Sequence, residues 1–299
     1  SDQRYYNITA AAAYSPIGYI PQSLAITLGR ILNLPPIYHI YIARLAVLLT
    51  WIAIFTFAIR CMPYKKWALV GVALLPMMVA QSVSIGVDAV SISTGVLFLS
   101  LILRSMTHAL RGRTLIAIIV SASVMVLSKQ IAVIFLPLIF LVAGTQFKTK
   151  VSATQAKILV TLIPFILLVC WTIIVGNPGQ SLNQIANNQS TSGQIMHLID
   201  KPPHFAVVLF NTFFFSWGDS IVDSLIGVFG WRDTPLSGPF VAIGYMTLAA
   251  VFLLNYKEKA VYMSRTKKRI IIVIATIYVL ALCGALYVTY SPVAFNIIY

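Results

Sequence analysis

Few residues in this chain of 299 could do chemistry, and most of those are ionisable groups set against apolar runs. Asp88 closes the stretch Val83-Ser84-Ile85-Gly86-Val87-Asp88, between two such runs. A carboxylate there must be hydrated, paired or hydrogen-bonded. It suits general-base work in a water-facing cavity, or simply the N-cap of the helix that follows. Arg44 lies about two turns into an apolar segment. Its guanidinium could clamp a phosphate bidentately or snorkel to lipid headgroups. Lys129 follows an apolar run and ends in a turn, as a phosphate ligand or a helix-end anchor. Gly230-Trp231-Arg232-Asp233-Thr234-Pro235 is a compact polar turn. In it Asp233 is a second candidate carboxylate and Arg232 a further phosphate cation, or the two are an ordinary surface pair. Tyr14 and Tyr19 could stack on a sugar or line the membrane interface. Asp219 and Asp223, four apart, share one helix face, as an acidic site or a solvated one.

Other chemistry leaves no mark. There is no phosphate-binding Gly-rich loop, no zinc-ligand spacing and no Gly-x-Ser-x-Gly. The four histidines, His39, His108, His197 and His204, are well separated, which argues against a histidine metal site. Cys61, Cys170 and Cys283 suggest neither a disulfide framework nor a metal site. No metal cofactor is implied, and the sequence does not say whether a divalent ion is needed.

The elements that must hold these residues are membrane helices. Apolar residues make up 59% of the chain and charged ones 9%, with a mean hydropathy of +0.90. Soluble domains carry roughly 25% charged residues. Fifteen of the 21 Lys and Arg residues fall in four short loops, 60–66, 104–113, 148–157 and 257–269, while six of the seven acids lie elsewhere. Cytoplasmic loops collect Lys and Arg in this way. The +14 charge therefore reads as orientation and contact with anionic headgroups, not as nucleic-acid binding. At ~1.5 Å per residue, about 20 apolar residues span a bilayer. About eight spans follow: 37–60, 67–86, 88–104, 114–129, 131–146, 157–176, 237–255 and 269–290. Alternation puts all four basic loops on the cytoplasmic side.

The expected fold is all-α: a polytopic transmembrane helix bundle forming a single integral membrane domain over 1–299. Segment 14–36 reads as an interfacial or re-entrant helix, started by Pro21 and stopped by Pro35-Pro36. Segment 177–236 reads as an outer-face loop and surface helix. In particular 205–230, though rich in Phe and Leu, should not span, because a crossing there would reverse the basic loop at 257–269.

Tyr14-Ser15-Pro16-Ile17-Gly18-Tyr19-Ile20-Pro21-Gln22 and Leu28-Gly29-Arg30 resemble the opening of the bacterial membrane family called domain of unknown function 2142. So do Ala43-Arg44-Leu45, the stretch from Leu75-Pro76-Met77 to Asp88, the Lys129 turn and Gly230 to Pro235, in family order. The family is similar to C-type (GT-C) glycosyltransferases. The resemblance implies outer-face sugar transfer from a polyprenyl-phosphate sugar to a glycan acceptor, for cell-wall or surface polysaccharide. It also implies a catalytic acid in an outer loop before residue 1 and a closing motif after Tyr299. Together with the missing initiator Met, this leads one to expect a longer protein. Ser128-Lys129-Gln130 departs from the family pattern, which has proline after the lysine. Two other functions compete, a transporter or lipid flippase and a non-catalytic membrane subunit. Beyond lipids, the lipid-linked sugar and the acceptor, no partner is implied.

Overall fold

The computed structural model describes residues 14–176, 191–216, 218–229, 234–253 and 263–291. Its helices are α1 (Ile20–Ile31), α2 (Pro36–Cys61), α3 (Lys66–Ala73), α4 (Pro76–Ser82), α5 (Asp88–Ser105), α6 (Gly112–Ser128), α7 (Ala153–Val175), α8 (Thr191–Asp200), α9 (Pro203–Asn211), α10 (Gly218–Gly227), α11 (Gly238–Leu253) and α12 (Arg265–Tyr290). A 3-10 segment, Gln130–Leu141, lies between α6 and α7. Two-residue strands β1 (Leu110–Arg111) and β2 (Phe147–Lys148) pair in parallel; β3 (Val228–Phe229) and β4 (Thr234–Pro235) pair antiparallel.

Among the described residues, four helices are long and apolar enough to cross a membrane: α2, α5, α7 and α12. Four of the expected spans therefore take a different form. The stretch 67–86 is broken between α3 and α4, where the chain leaves the helix at Leu74-Leu75 before Pro76. Proline disfavours helical geometry in the residue before it and cannot donate to a continuing ladder. The stretch 131–146 is mostly 3-10 helix, with Pro137 inside it. At ~2.0 Å per residue this winding reaches further than α-helix, about 24 Å for 12 residues. The other two are helical: α6 has 17 residues, and α11 has 16 up to the end of its described stretch at Leu253. In the 205–230 region α9 continues into a π-helical turn, Thr212–Ser216, to form one apolar helix over Pro203–Phe215 that is shorter than the four long ones, and α10 has 10 residues.

The core is a row of packed helices. One face of α2 (Ala43, Val47, Trp51, Phe55, Ala58, Cys61) is buried at helical spacing, and packs on α1 and α5. α5 packs on α6, and α6 on α7. The main buried cluster joins Phe98 and Ile102 of α5, Ile118, Ala122 and Val126 of α6, Leu136 and Ile139 of the 3-10 segment, and Val160 of α7. α12 lies against the 3-10 segment, with the Phe135 and Tyr278 ring centroids 4.7 Å apart. The outward surface is apolar: Leu24, Leu28 and Ile31 on α1, and Ile158, Leu162, Phe165, Ile166, Ile173 and Ile174 on α7, are exposed. A surface of this kind suits lipid, not water.

Three basic loops, 60–66, 104–113 and 148–157, gather at one end, where Cys61, Leu110, Val142 and Ala156 in or beside them belong to one buried cluster. β1 and β2 join loops 104–113 and 148–157. Lys65 Nζ donates to the Phe252 carbonyl at 2.9 Å, tying the 60–66 loop to the end of α11.

The α1–α2 hairpin depends on a glycine. A Cβ on Gly29 would stand 2.5 Å from His39 Cδ2 and 2.6 Å from Ile42 Cδ1, whereas one on Gly112 meets nothing within 4 Å. Gly29→Ala should therefore destabilise the protein by about 1–3 kcal/mol through overpacking. Gly112→Ala should be neutral or slightly stabilising. Thermal unfolding in detergent checks both; a Gly29→Ala melt matching wild type would contradict the tight hairpin.

Candidate functional site

At the end of the bundle opposite the basic loops, Lys129 Nζ and Asp88 Oδ1 form an ion pair at 2.8 Å. Among the described residues it is the one salt bridge. The lysine side chain is 33% exposed and the aspartate 39%, so the pair faces outward from the packed core. Local chain geometry sets both partners. α6 stops at Ser128, and Lys129 turns to extended backbone (φ −139°, ψ 102°) while its N–H still bonds the Met125 carbonyl. Asp88 is the first residue of α5, where a carboxylate is favoured by the helix dipole. Val87, not Asp88, holds the N-cap position, and it offers no side-chain cap.

The segment 14–22 closes over this pair. Ser15 starts a 3-10 turn, Pro16–Tyr19, its hydroxyl accepting from the Ile17 N–H at 3.3 Å. Gly18 is buried where the turn crosses the start of α5 and the end of α6. A Cβ there would stand 3.0 Å from Val87 Cγ1 and 3.1 Å from Ser128 Oγ. Gln22 then fastens α1: its Nε2 donates to the Gly18 carbonyl at 3.3 Å and to the Ile85 carbonyl at 3.1 Å. Tyr14 is placed with its ring centroid 5.7 Å from Lys129 Nζ, within cation–π range. Burial pushes the Tyr19 phenol above its ordinary pKa. Tyr14 and the Asp88 carboxylate add to the rise and Lys129 opposes it. The Tyr19 phenol is therefore a neutral donor near neutral pH. Two buried atoms in the same place have no hydrogen-bond partner, Gln22 Oε1 and Ser128 Oγ.

Four candidate residues, Tyr14, Tyr19, Asp88 and Lys129, thus come together from three separate stretches of chain. Arg44 does not join them through any ion pair among the described residues. It is exposed on α2, one position from buried Ala43. Arg232 and Asp233 lie outside the described residues, as does Trp231. Asp223 is half-buried on α10.

Gln22 and Gly18 lie inside the Tyr-Ser-Pro stretch without any ionisable group to mark them; an amide one turn after a Pro-Ile-Gly turn is the signal the sequence carries there. The histidines hold a second surprise. His197 of α8 and His204 of α9 meet edge to face, ring centroids 4.7 Å apart, beside buried Tyr287 of α12. They stand seven positions apart in sequence, and the turn at Lys201-Pro202 folds them together. No group of three or more metal-ligating side chains occurs among the described residues.

No curated protein and no solved structure matches the chain. The family model described as Predicted membrane protein (DUF2142) matches residues 1–299, and the chain belongs to that membrane-protein family.

Proposed function

We propose that this protein is a glycosyltransferase of C-type (GT-C) character that takes a sugar from a polyprenyl-phosphate donor on the outer face of the bacterial cytoplasmic membrane. The observation that carries the reading is the Asp88–Lys129 pair beside Tyr14 and Tyr19, half-exposed at the end away from the basic loops. Sugar transfer to a hydroxyl needs a base for the acceptor and a cation for the departing phosphate. Lys129 offers the cation. A donor phosphate drawing Lys129 to itself would release the Asp88 carboxylate. The acceptor hydroxyl oxygen then attacks the anomeric carbon, and the bond from that carbon to the phosphate oxygen breaks. The lipid phosphate leaves with the electron pair, and the hydroxyl proton passes to Asp88. Tyr14 and Tyr19 present ring faces and hydroxyls to the sugar. Arg44 and Arg232 supply further positive charge for the phosphate, and Asp233 a second carboxylate. Cell-surface glycan is the acceptor class, and no resident metal is invoked.

A transporter or lipid flippase is the second reading. The break between α3 and α4 and the 3-10 segment that starts at Lys129 favour it, since transporters use interrupted helices at their sites. Breaks at matching positions in two repeats are the usual mark of that class, and the sequence carries no repeat of 20–50 residues.

In proteoliposomes with a radiolabelled polyprenyl-phosphate sugar, wild type should release polyprenyl phosphate. Asp88→Asn should lower transfer by about 100-fold or more, as loss of a general base does. Lys129→Ala and Arg44→Ala should weaken donor use while protein yield and melting temperature stay close to wild type. Donor moved across the membrane but not cleaved would decide for the transporter. Full transfer by Asp88→Asn would remove the base from the mechanism.

The same reading places loops 60–66, 104–113, 148–157 and 257–269 in the cytoplasm. On a cysteine-free background, an impermeant maleimide should label Asn187→Cys in intact cells and Lys150→Cys only after permeabilisation. The reverse pattern would invert the topology and place the ion pair on the cytoplasmic face.

A further inference from the structure

Between Asp88 and Asp200 the sequence has no Asp or Glu, yet it holds two basic loops there. β1 and β2 bind these loops side by side, Leu110 opposite Phe147 and Arg111 opposite Lys148. Leu110 is fully buried and Phe147 half-buried, so the next residues on each strand turn outward, and Arg111 and Lys148 are both exposed. Paired strands lie about 4.8 Å apart, and partners in register point to the same side. Two cations are therefore held next to each other by backbone hydrogen bonds. Like charges in this position are destabilising. Neither has an acidic partner among the described residues, where the one ion pair is at the opposite end of the bundle. The rule that cytoplasmic loops are basic explains why cations are here, but not why two of them are kept in register.

The surroundings add to the same charge. Arg113 follows in the first turn of α6, which has no acid there and no side-chain cap at Arg111. Lys150 is exposed just beyond β2. α7, by contrast, begins with its own Ser152–Gln155 capping box, so the two helix starts are built differently. Apolar surface begins at once on the membrane side. Ile116 and Val120 are exposed on α6, Ile116 three residues from Arg113 and so on a neighbouring face. Ile158 and Leu162 are exposed on α7. Lys157 stands over the rings of Phe140 and Phe147, at 6.0 and 5.7 Å, where charge meets the apolar layer.

We infer that Arg111 and Lys148, with Arg113 and Lys150 beside them, form a binding site for the phosphate headgroup of an anionic phospholipid. The acyl chains run along the exposed apolar residues of α6 and α7. The phosphate lies between the paired cations and removes the repulsion that the strand register creates. An amphiphile fits better than free phosphate because the charged and apolar surfaces adjoin.

The test uses the full chain in neutral detergent, with phosphatidylglycerol, phosphatidylcholine or inorganic phosphate added, and reads binding by native mass spectrometry and melting temperature. Phosphatidylglycerol should bind and raise the melting temperature; the other two should do neither. At about one surface cation's contribution each, Lys148→Gln should weaken phosphatidylglycerol binding about fivefold and R111Q/K148Q about thirtyfold. Both variants should melt no lower than wild type without lipid, since they remove a repulsion. The charge-matched variant K268Q/R269Q, in the first turns of α12, should keep wild-type binding. Equal losses in R111Q/K148Q and K268Q/R269Q would mean diffuse attraction only and overturn the site. Undiminished binding by R111Q/K148Q, or a shift reproduced by inorganic phosphate, would overturn it too.

Discussion

A backbone surrounded by lipid must bond its own N–H and C=O groups, and that requirement shapes every element of this protein. It makes α2, α5, α7 and α12 continuous helices where apolar side chains face outward. It also favours close neighbours around irregular backbone. The 3-10 segment Gln130–Leu141 packs against α5, α6, α7 and α12 with Phe140 exposed, and the helices on either side of the α3–α4 break pack against α2 and α11 with Leu74 exposed at the break itself. Where neighbours shield the chain, it can depart from α-helix to reach further or to change direction. Both departures end beside functional candidates: the 3-10 segment starts at Lys129, and α4 leads to Asp88 through Ser84-Ile85-Gly86-Val87.

The ion pair and the 14–22 segment form one unit. Asp88 and Lys129 are set by a helix start and a helix end, two places where the chain must leave its ladder anyway. Gly18 lets the 3-10 turn press on both places, and Gln22 bridges back to Ile85. Moving any one of these contacts would shift Tyr14 relative to Lys129. The arrangement therefore resembles a small preorganised site more than a set of separate lipid anchors. Its polar atoms are partly exposed, so a ligand phosphate or hydroxyl could reach them without unfolding the segment.

Much of this was legible in the sequence for physical reasons. Long apolar runs give α2, α7 and α12 because length and hydropathy alone decide such helices. Asp88, Lys129, Tyr14 and Tyr19 stood out because polar groups are costly at membrane depth. What was not legible depends on packing. Residues 131–141 read as an apolar span in any winding; only the neighbours select 3-10. Likewise 67–86 gave one run, and the stop before Pro76 became decisive only once Leu75 could be buried against Ile226 and Val241. His197 and His204 meet through a turn at Pro202, which spacing alone does not foretell. The register of Arg111 with Lys148 is a long-range pairing that repulsion argues against. Arg44 was readable as a charge in a helix with two uses, a phosphate clamp or a snorkelling anchor, and only the fold shows it exposed on α2.

One argument about the ion pair comes from charge economy. Asp88 is the sole Asp or Glu between residues 3 and 199, a stretch with 13 Lys and Arg residues at which a carboxylate could be placed. It is spent on Lys129, not on the crowded cations of the basic end. A pair of this kind contributes little to stability when it is part-exposed, and well-packed apolar groups commonly do better when it is not. Stability alone would place the acid between Arg111 and Lys148, where repulsion is built in. Placing it at the opposite end, under two tyrosines and a buried glutamine, makes sense if the carboxylate and the lysine have work to do there that an apolar contact could not perform.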